Sequence, residues 1–159
     1  TKDIEDGEFF KKKPLIDVMD KAAADGKAIH LMGLVSDGGV HSHIEHLKAL
    51  CDIAVERGCP ETYVHAFTDG RDCDPKSGAG FLENLLQHID NKPVTLATVV
   101  GRYYAMDRDK RWERVSLPSG RGCFRWGVRS VMSLQYAKQL RRADRGPNWR
   151  IVAKVCRSW

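Results

Sequence analysis

Apolar positions along the chain follow two alternating rhythms. Between Glu8 and Ala24, Phe9, Leu15, Ile16, Val18 and Met19 recur among strong helix formers and Gly26 supplies a stop, which predicts a helix over Glu8–Ala24 with Pro14 beginning a turn. Ala28–Val35 is a short, nearly unbroken apolar run bounded by Gly26 and by Ser36-Asp37-Gly38-Gly39, the pattern of a strand buried on both faces. Ile44, Leu47, Leu50, Cys51, Ala54 and Val55 recur at spacings of three and four, so an amphipathic helix is predicted over His43–Arg57, ended by Gly58. The β-branched and aromatic run Thr62–Phe67 reads as a second strand broken by Asp69-Gly70. Ala79–Ile89 reads as a further helix, and Val94–Val100 as a third strand ending at Gly101. Strand, helix, strand, helix, strand at these lengths implies an α/β layered domain over residues 1–115, with a mostly parallel sheet and crossover helices. Ligands bind at the carboxyl ends of such strands, so the three polar, glycine-containing loops at those ends are expected to converge on one edge.

A length of 159 residues allows about one domain. No apolar run approaches the roughly 20 residues that cross a bilayer, and Thr1–Gly7 lacks the basic-then-apolar pattern of a secretory signal, so a cytoplasmic location is expected. The five cysteines are scattered and never form a C-x-x-C pair, which argues against a disulfide framework or a zinc ribbon. The formal charge of +5 conceals two unlike parts: Thr1–Val115 carries 16 Lys/Arg against 20 Asp/Glu, whereas Ser116–Trp159 carries 10 against 1. The second part also has eight Arg to two Lys, three of the four Trp and none of the six His. Val128–Leu140 has some helical character and Ile151–Val155 some strand character, but neither has a clear amphipathic partner, and an irregular or poorly packed tail is expected over 116–159.

Three loops carry candidate chemistry. After the first strand, Ser36-Asp37-Gly38-Gly39-Val40-His41-Ser42-His43 sets two glycines beside a helix start, which fits either a phosphate cradle or a plain turn with Ser42 as the helix cap. His41, His43 and His46 form H-x-H-x-x-H, but only His43 and His46 share a helical face and no carboxylate or cysteine completes a metal set. After the second strand, Asp69-Gly70-Arg71-Asp72-Cys73-Asp74 fails the calcium-loop pattern. It fits either an Asp-rich turn with a surface ion pair, or a carboxylate beside an arginine that orients an anion and accepts a hydroxyl proton. After the third strand, Gly101-Arg102-Tyr103-Tyr104-Ala105-Met106-Asp107-Arg108-Asp109-Lys110-Arg111-Trp112 could stack nucleic-acid bases or form a solvated turn. Guanidinium forks grip phosphate and carboxylate bidentately, so Arg71, Arg102 and Arg108 converging with His41 would hold a small molecule that bears both groups.

Taken in order and spacing, G-L-V-S-D-G-G-V-H-S-H (33–43), H-A-F-T-D-G-R-D (65–72) and G-R-Y-Y-A-M-D-R-D-K-R-W-E-R-V (101–115) closely resemble the bisphosphoglycerate-independent phosphoglycerate mutases. I-E-D-G-E-F-F (4–10) also looks like the start of that family's phosphotransferase domain, so the resemblance covers essentially Thr1–Val115. It implies a glycolytic isomerase that interconverts 3-phosphoglycerate and 2-phosphoglycerate through a phosphoserine, with two manganese ions on a separate phosphatase-like catalytic domain. Residues 1–115 would be part of the phosphotransferase, substrate-binding domain. His41 would contact the phosphoryl group or substrate oxygens, Arg71 and Asp72 would hold the glycerate, Asp72 would handle its hydroxyl proton, and Arg102 and Arg108 would pair with carboxylate and phosphate. On the same grounds the serine nucleophile and the metal ligands lie outside this chain. It would then be a fragment that binds no metal of its own and does not turn over alone. Residues 116–159 do not look like the family's continuation, and the switch from Lys to Arg reads as a frameshift. Arg142-Ala143-Asp144-Arg145 has the form of the family's remaining arginine pair, but an Arg-rich stretch makes such a match cheap. The rival reading is a nucleic-acid-binding or adaptor protein acting through the basic tail. A basic segment without a binding fold argues for it less strongly than three co-ordered motifs argue for the mutase.

Overall fold

The computed structural model describes residues 2–119; the predicted helix at Val128–Leu140, the strand at Ile151–Val155 and the Arg142–Arg145 stretch lie outside the described residues. The chain opens with α1 (Lys2–Glu5), a 3-10 turn at Glu8–Lys11 and α2 (Lys13–Ala24). The single helix expected over Glu8–Ala24 is therefore two pieces. Pro14 has no N–H to give to the carbonyl four residues back, so a helix cannot run through it from Phe10. The break falls at Lys12, which is extended, and Pro14 takes a place in the first turn of α2, where no intrahelical N–H bond is required. At the far end Gly26 adopts a left-handed φ of 62°, and the amides of Gly26 and Lys27 bond back to the carbonyls of Ala23 and Ala22 at 3.1 and 2.8 Å. These bonds satisfy carbonyls that the helix end leaves open.

Strands β1 (Ile29–Val35), β2 (Thr62–Thr68) and β3 (Val94–Gly101) form one sheet in the order β1-β2-β3, with both pairs parallel. Helices α3 (Ile44–Glu56) and α4 (Gly78–His88) make the two crossovers. Crossovers of one hand that step in one direction put both helices on the same face. Accordingly α3 and α4 touch each other and β1, and α2 packs on α3. Their apolar stripes meet the inward side chains of the strands in one cluster that includes Met19, Leu31, Val35, Ile53, Val64, Leu85 and Val99. Each such side chain taken out of water contributes roughly 1.5–3 kcal/mol. Polar ties lie over this layer: Arg57 grips Asp20 through Nε and Nη2, joining α2 to the end of α3, and Asp52 of α3 accepts from Lys92 at 2.6 Å and pairs with His88 of α4 at 2.9 Å.

Helix α3 starts differently from the plain-turn reading. Its cap is His43, whose Nδ1 accepts the Glu45 amide at 3.2 Å, while the Ser42 hydroxyl donates to the Leu34 carbonyl at 2.9 Å. Ser42 thus ties its loop to the end of β1 and leaves the cap to its neighbour.

The sheet register aligns the three polar loops. Val35 pairs with Thr68, and Thr68 pairs with Gly101, so the three strands end level. The next residue of each chain segment, Ser36, Asp69 and Arg102, falls in one row across the carboxyl edge. The chain beyond β3 turns into α5 (Arg102–Ala105) and then α6 (Trp112–Ser119), which pack on each other.

Candidate functional site

The row Ser36, Asp69, Arg102 is bonded along its length. Asp69 is buried, and its Oδ1 accepts from Arg102 Nη1 at 3.1 Å, from the Arg71 amide at 3.0 Å and from the Asp72 amide at 3.2 Å. The Ser36 hydroxyl donates to the same carboxylate, while Ser36 Oγ accepts the Gly38 amide at 3.1 Å. Burial alone would raise the Asp69 carboxyl, but the two amides, the hydroxyl and the guanidinium outweigh it and bring it down to about 2. Asp69 is therefore a fixed anion at neutral pH.

Arg102 Nη1 also donates to Asp72 Oδ2 at 2.5 Å, so one guanidinium nitrogen serves two carboxylates. All three side chains are at most 14% exposed. Among the described residues, Nε and Nη2 of Arg102 and Oδ1 of Asp72 have no internal partner. His41 reaches toward the same carboxylate, with Nε2 at 3.9 Å from Asp72 Oδ2, and is half exposed. The first and second loops are pressed together here, because Gly38 leaves no room for a side chain beside the Asp72 carbonyl.

The third loop closes on itself through Arg114 of α6. Its guanidinium lies 4.1 Å from the centre of the Tyr103 ring and 3.3 Å from Asp107 Oδ1, and Asp107 Oδ2 accepts the Arg111 amide at 2.7 Å. Lys110 supplies the tight turn, with a left-handed φ of 59°. This ties down both ends of the segment that carries Arg108, which is exposed and unpaired among the described residues. Arg71 is likewise exposed, with its side chain unpaired among the described residues.

The structure thus brings together three of the five residues expected in the site, His41, Asp72 and Arg102, and leaves Arg71, on the same loop as Asp72, and Arg108, further along the loop that Arg102 opens, with guanidinium groups unpaired among the described residues. Sequence reasoning did not single out Asp69, Ser36, Asp107 or Arg114. Ser36 follows directly on the predicted end of the first strand and could have been found there, and Asp69 likewise had the second strand been read to Thr68 and not to Phe67. The histidine triplet splits: His43 caps α3, His46 lies against the Phe9 ring with centroids 5.5 Å apart, and His41 faces Asp72.

A family model described as the BPG-independent PGAM N-terminus matches residues 1–119. The chain belongs to this family. The 2,3-bisphosphoglycerate-independent phosphoglycerate mutase of Clostridium novyi is 57% identical over 118 residues, which is 74% of this chain and 23% of that protein. The enzyme of the same name from Flavobacterium johnsoniae is 58% identical over 107 residues, covering 67% of this chain and 21% of that protein. Among solved structures, a Leishmania mexicana phosphoglycerate mutase, crystallised at low cobalt concentration, superposes with a TM-score of 0.63 at 31% identity, over 73% of this chain and 22% of that one. The chain thus spans less than a quarter of the length of the mutases it matches. Among the described residues no group of three or more His, Cys, Asp or Glu side chains is arranged to hold a metal ion, so the two manganese ions that the resemblance implies have no ligand set among them. No described helix is long and apolar enough to cross a membrane.

Proposed function

We propose that residues 1–115 form the substrate clamp of a phosphoglycerate mutase, and that the serine nucleophile and metal ions of the reaction belong to a phosphatase-like domain other than these residues. The supporting observation is Arg102: one nitrogen is fixed by Asp69 and Asp72, while Nε and Nη2 have no partner among the described residues. A guanidinium held in this way is preorganised for a carboxylate or phosphate and loses little freedom on binding it. Arg71 on the second loop and Arg108 on the third are exposed and unpaired among the described residues, and in this reading their charge meets a ligand that carries both anionic groups.

In this reading Arg102 and Arg108 take the carboxylate and phosphate of 2- or 3-phosphoglycerate, Arg71 and Asp72 hold the glycerate, and His41 meets a phosphoryl or substrate oxygen. Asp72 Oδ1 accepts the glycerate hydroxyl proton, while Arg102 holds Oδ2 and so fixes the direction in which Oδ1 faces. Residues 1–115 then supply one half of an isomerase site. The change of composition after Val115 fits a frameshifted reading of residues 116–159. Nucleic-acid or adaptor binding through that basic stretch has no observation on the described residues in its favour.

Chemical-shift mapping on the full chain tests the clamp. Addition of 3-phosphoglycerate is expected to move the amides of 36–42, 69–74 and 101–109 together, with inorganic phosphate or glycerate alone giving weaker shifts over fewer residues. Shifts confined to other regions, or equal responses to all three ligands, would contradict it.

A further inference from the structure

Asp69 is a buried carboxylate whose every donor belongs to one of the loops that frame the site: Arg71 and Asp72 through their amides, Ser36 through its hydroxyl, and Arg102 through Nη1. It is 4% exposed, so the groups that reach the ligand are these partners and not Asp69 itself. A planar guanidinium has its remaining donors in fixed directions once one nitrogen is pinned. Asp69 and Asp72 together pin Nη1 from two sides, which leaves Nη2 and Nε as the pair available for a bidentate contact.

We infer that Asp69 is the positioning residue of this site: it sets the plane of Arg102 and the path of the Arg71-Asp72 backbone, so that an anionic ligand is met by Arg102 Nη2 and Nε together. This rests on the clamp reading for the nature of the ligand, but the geometry of Arg102 in the free protein does not. A lysine at position 102 would present a point charge without the fork, and a freely rotating arginine would have to be ordered on binding, at a cost in affinity. Asp72 cannot replace Asp69 in this role, because its own backbone is held in place by Asp69.

Asp69→Asn retains an oxygen for the two amides while removing the charge that holds Arg102, and it is the discriminating variant. In the free full chain, side-chain 15N–1H spectra should show slowly exchanging Arg102 guanidinium protons that are lost in Asp69→Asn while the remaining spectrum keeps its folded dispersion. Arg102 signals that survive in Asp69→Asn would overturn the inference whether or not any ligand binds. Titration with 3-phosphoglycerate then supplies a cycle with Arg102→Gln. Asp69→Asn should weaken binding about tenfold in the wild-type background and less than about twofold when Arg102 is already Gln. Equal losses in both backgrounds would mean that Asp69 only supports the fold, and would overturn it. A wild-type chain that binds no 3-phosphoglycerate contradicts the clamp reading instead, and is told apart because the Arg102 spectra are recorded without ligand.

Discussion

A Cβ placed on Gly38 would stand 2.7 Å from the carbonyl oxygen of Asp72. Two loops that are 34 positions apart in the chain are therefore in backbone contact, and only a residue without a side chain permits it. Gly38→Ala must push the second loop away from the first, at about 1–3 kcal/mol if the backbones cannot separate freely. The expected result is a lower urea midpoint at unchanged m-value, together with weaker 3-phosphoglycerate binding. A Gly38→Ala chain as stable as wild type would show that the two loops move apart without cost.

The same contact shows what could be read from sequence. The strand and helix order was legible because each strand is a short apolar run bounded by glycine or Asp-Gly and the helices repeat at spacings of three and four. Pro14 marked a boundary, but where the break would fall depended on Lys12 becoming extended, which the apolar spacing does not encode. In Asp69-Gly70-Arg71-Asp72-Cys73-Asp74 the three carboxylates are equivalent as letters; burial of Asp69 against Ser36 separates them, and that comes from the strand register. Arg114 and Asp107 were hidden in the charge-rich run 107–114 for the same reason, since the turn at Lys110 decides which charges meet.

Stability should depend on pH through the buried histidine pair. His65 bonds Thr98 Oγ1 through Nδ1 at 2.9 Å and shares a hydrogen bond with His30 Nδ1 through Nε2 at 3.0 Å, and the His30 ring stacks on both His65 and Tyr63. Burial, with a smaller contribution from His30, lowers the His65 imidazole to about 4, and burial lowers His30 as well. The unfolded chain protonates near 6.5 and the fold resists until about 4, so this stability is complete above 6.5 and is lost as pH falls through that window, on the order of 3 kcal/mol for His65. Asp69, drawn down to about 2, adds a separate loss that begins only below the usual carboxylate range near 3.8. Urea midpoints between pH 8 and 4 should therefore fall in wild type and flatten in His65→Gln; a parallel fall in both would contradict this.

Arg114→Met should loosen the third loop. It removes the guanidinium from the Tyr103 ring and leaves the buried Asp107 carboxylate without its ion partner, for about 2–3 kcal/mol of lost stability. Hydrogen exchange should quicken at amides 103–111 while β1 and β2 keep their protection. Uniform quickening across the sheet would show that the loop is not a separate unit.

Leu85 is fully buried in the middle of α4, within the layer that joins the helices to the sheet. Leu85→Ala should cost about 2–5 kcal/mol, with a residual cavity setting the upper end. A loss below about 1 kcal/mol would show that α4 is not seated on the sheet as described.

If the level ends of three strands present a preformed anion clamp, the exposed Arg71 guanidinium on the second loop must matter to the ligand and not to the fold. Calorimetric titration of 3-phosphoglycerate into the full chain, beside Arg71→Ala, separates the two, because the Arg71 side chain is exposed and unpaired among the described residues, so its removal should leave the fold intact. The clamp predicts saturable one-to-one binding that weakens about tenfold or more in Arg71→Ala, with melting unchanged. Binding of equal strength in the two proteins, or no heat from a wild-type chain that circular dichroism shows to be folded, would contradict it.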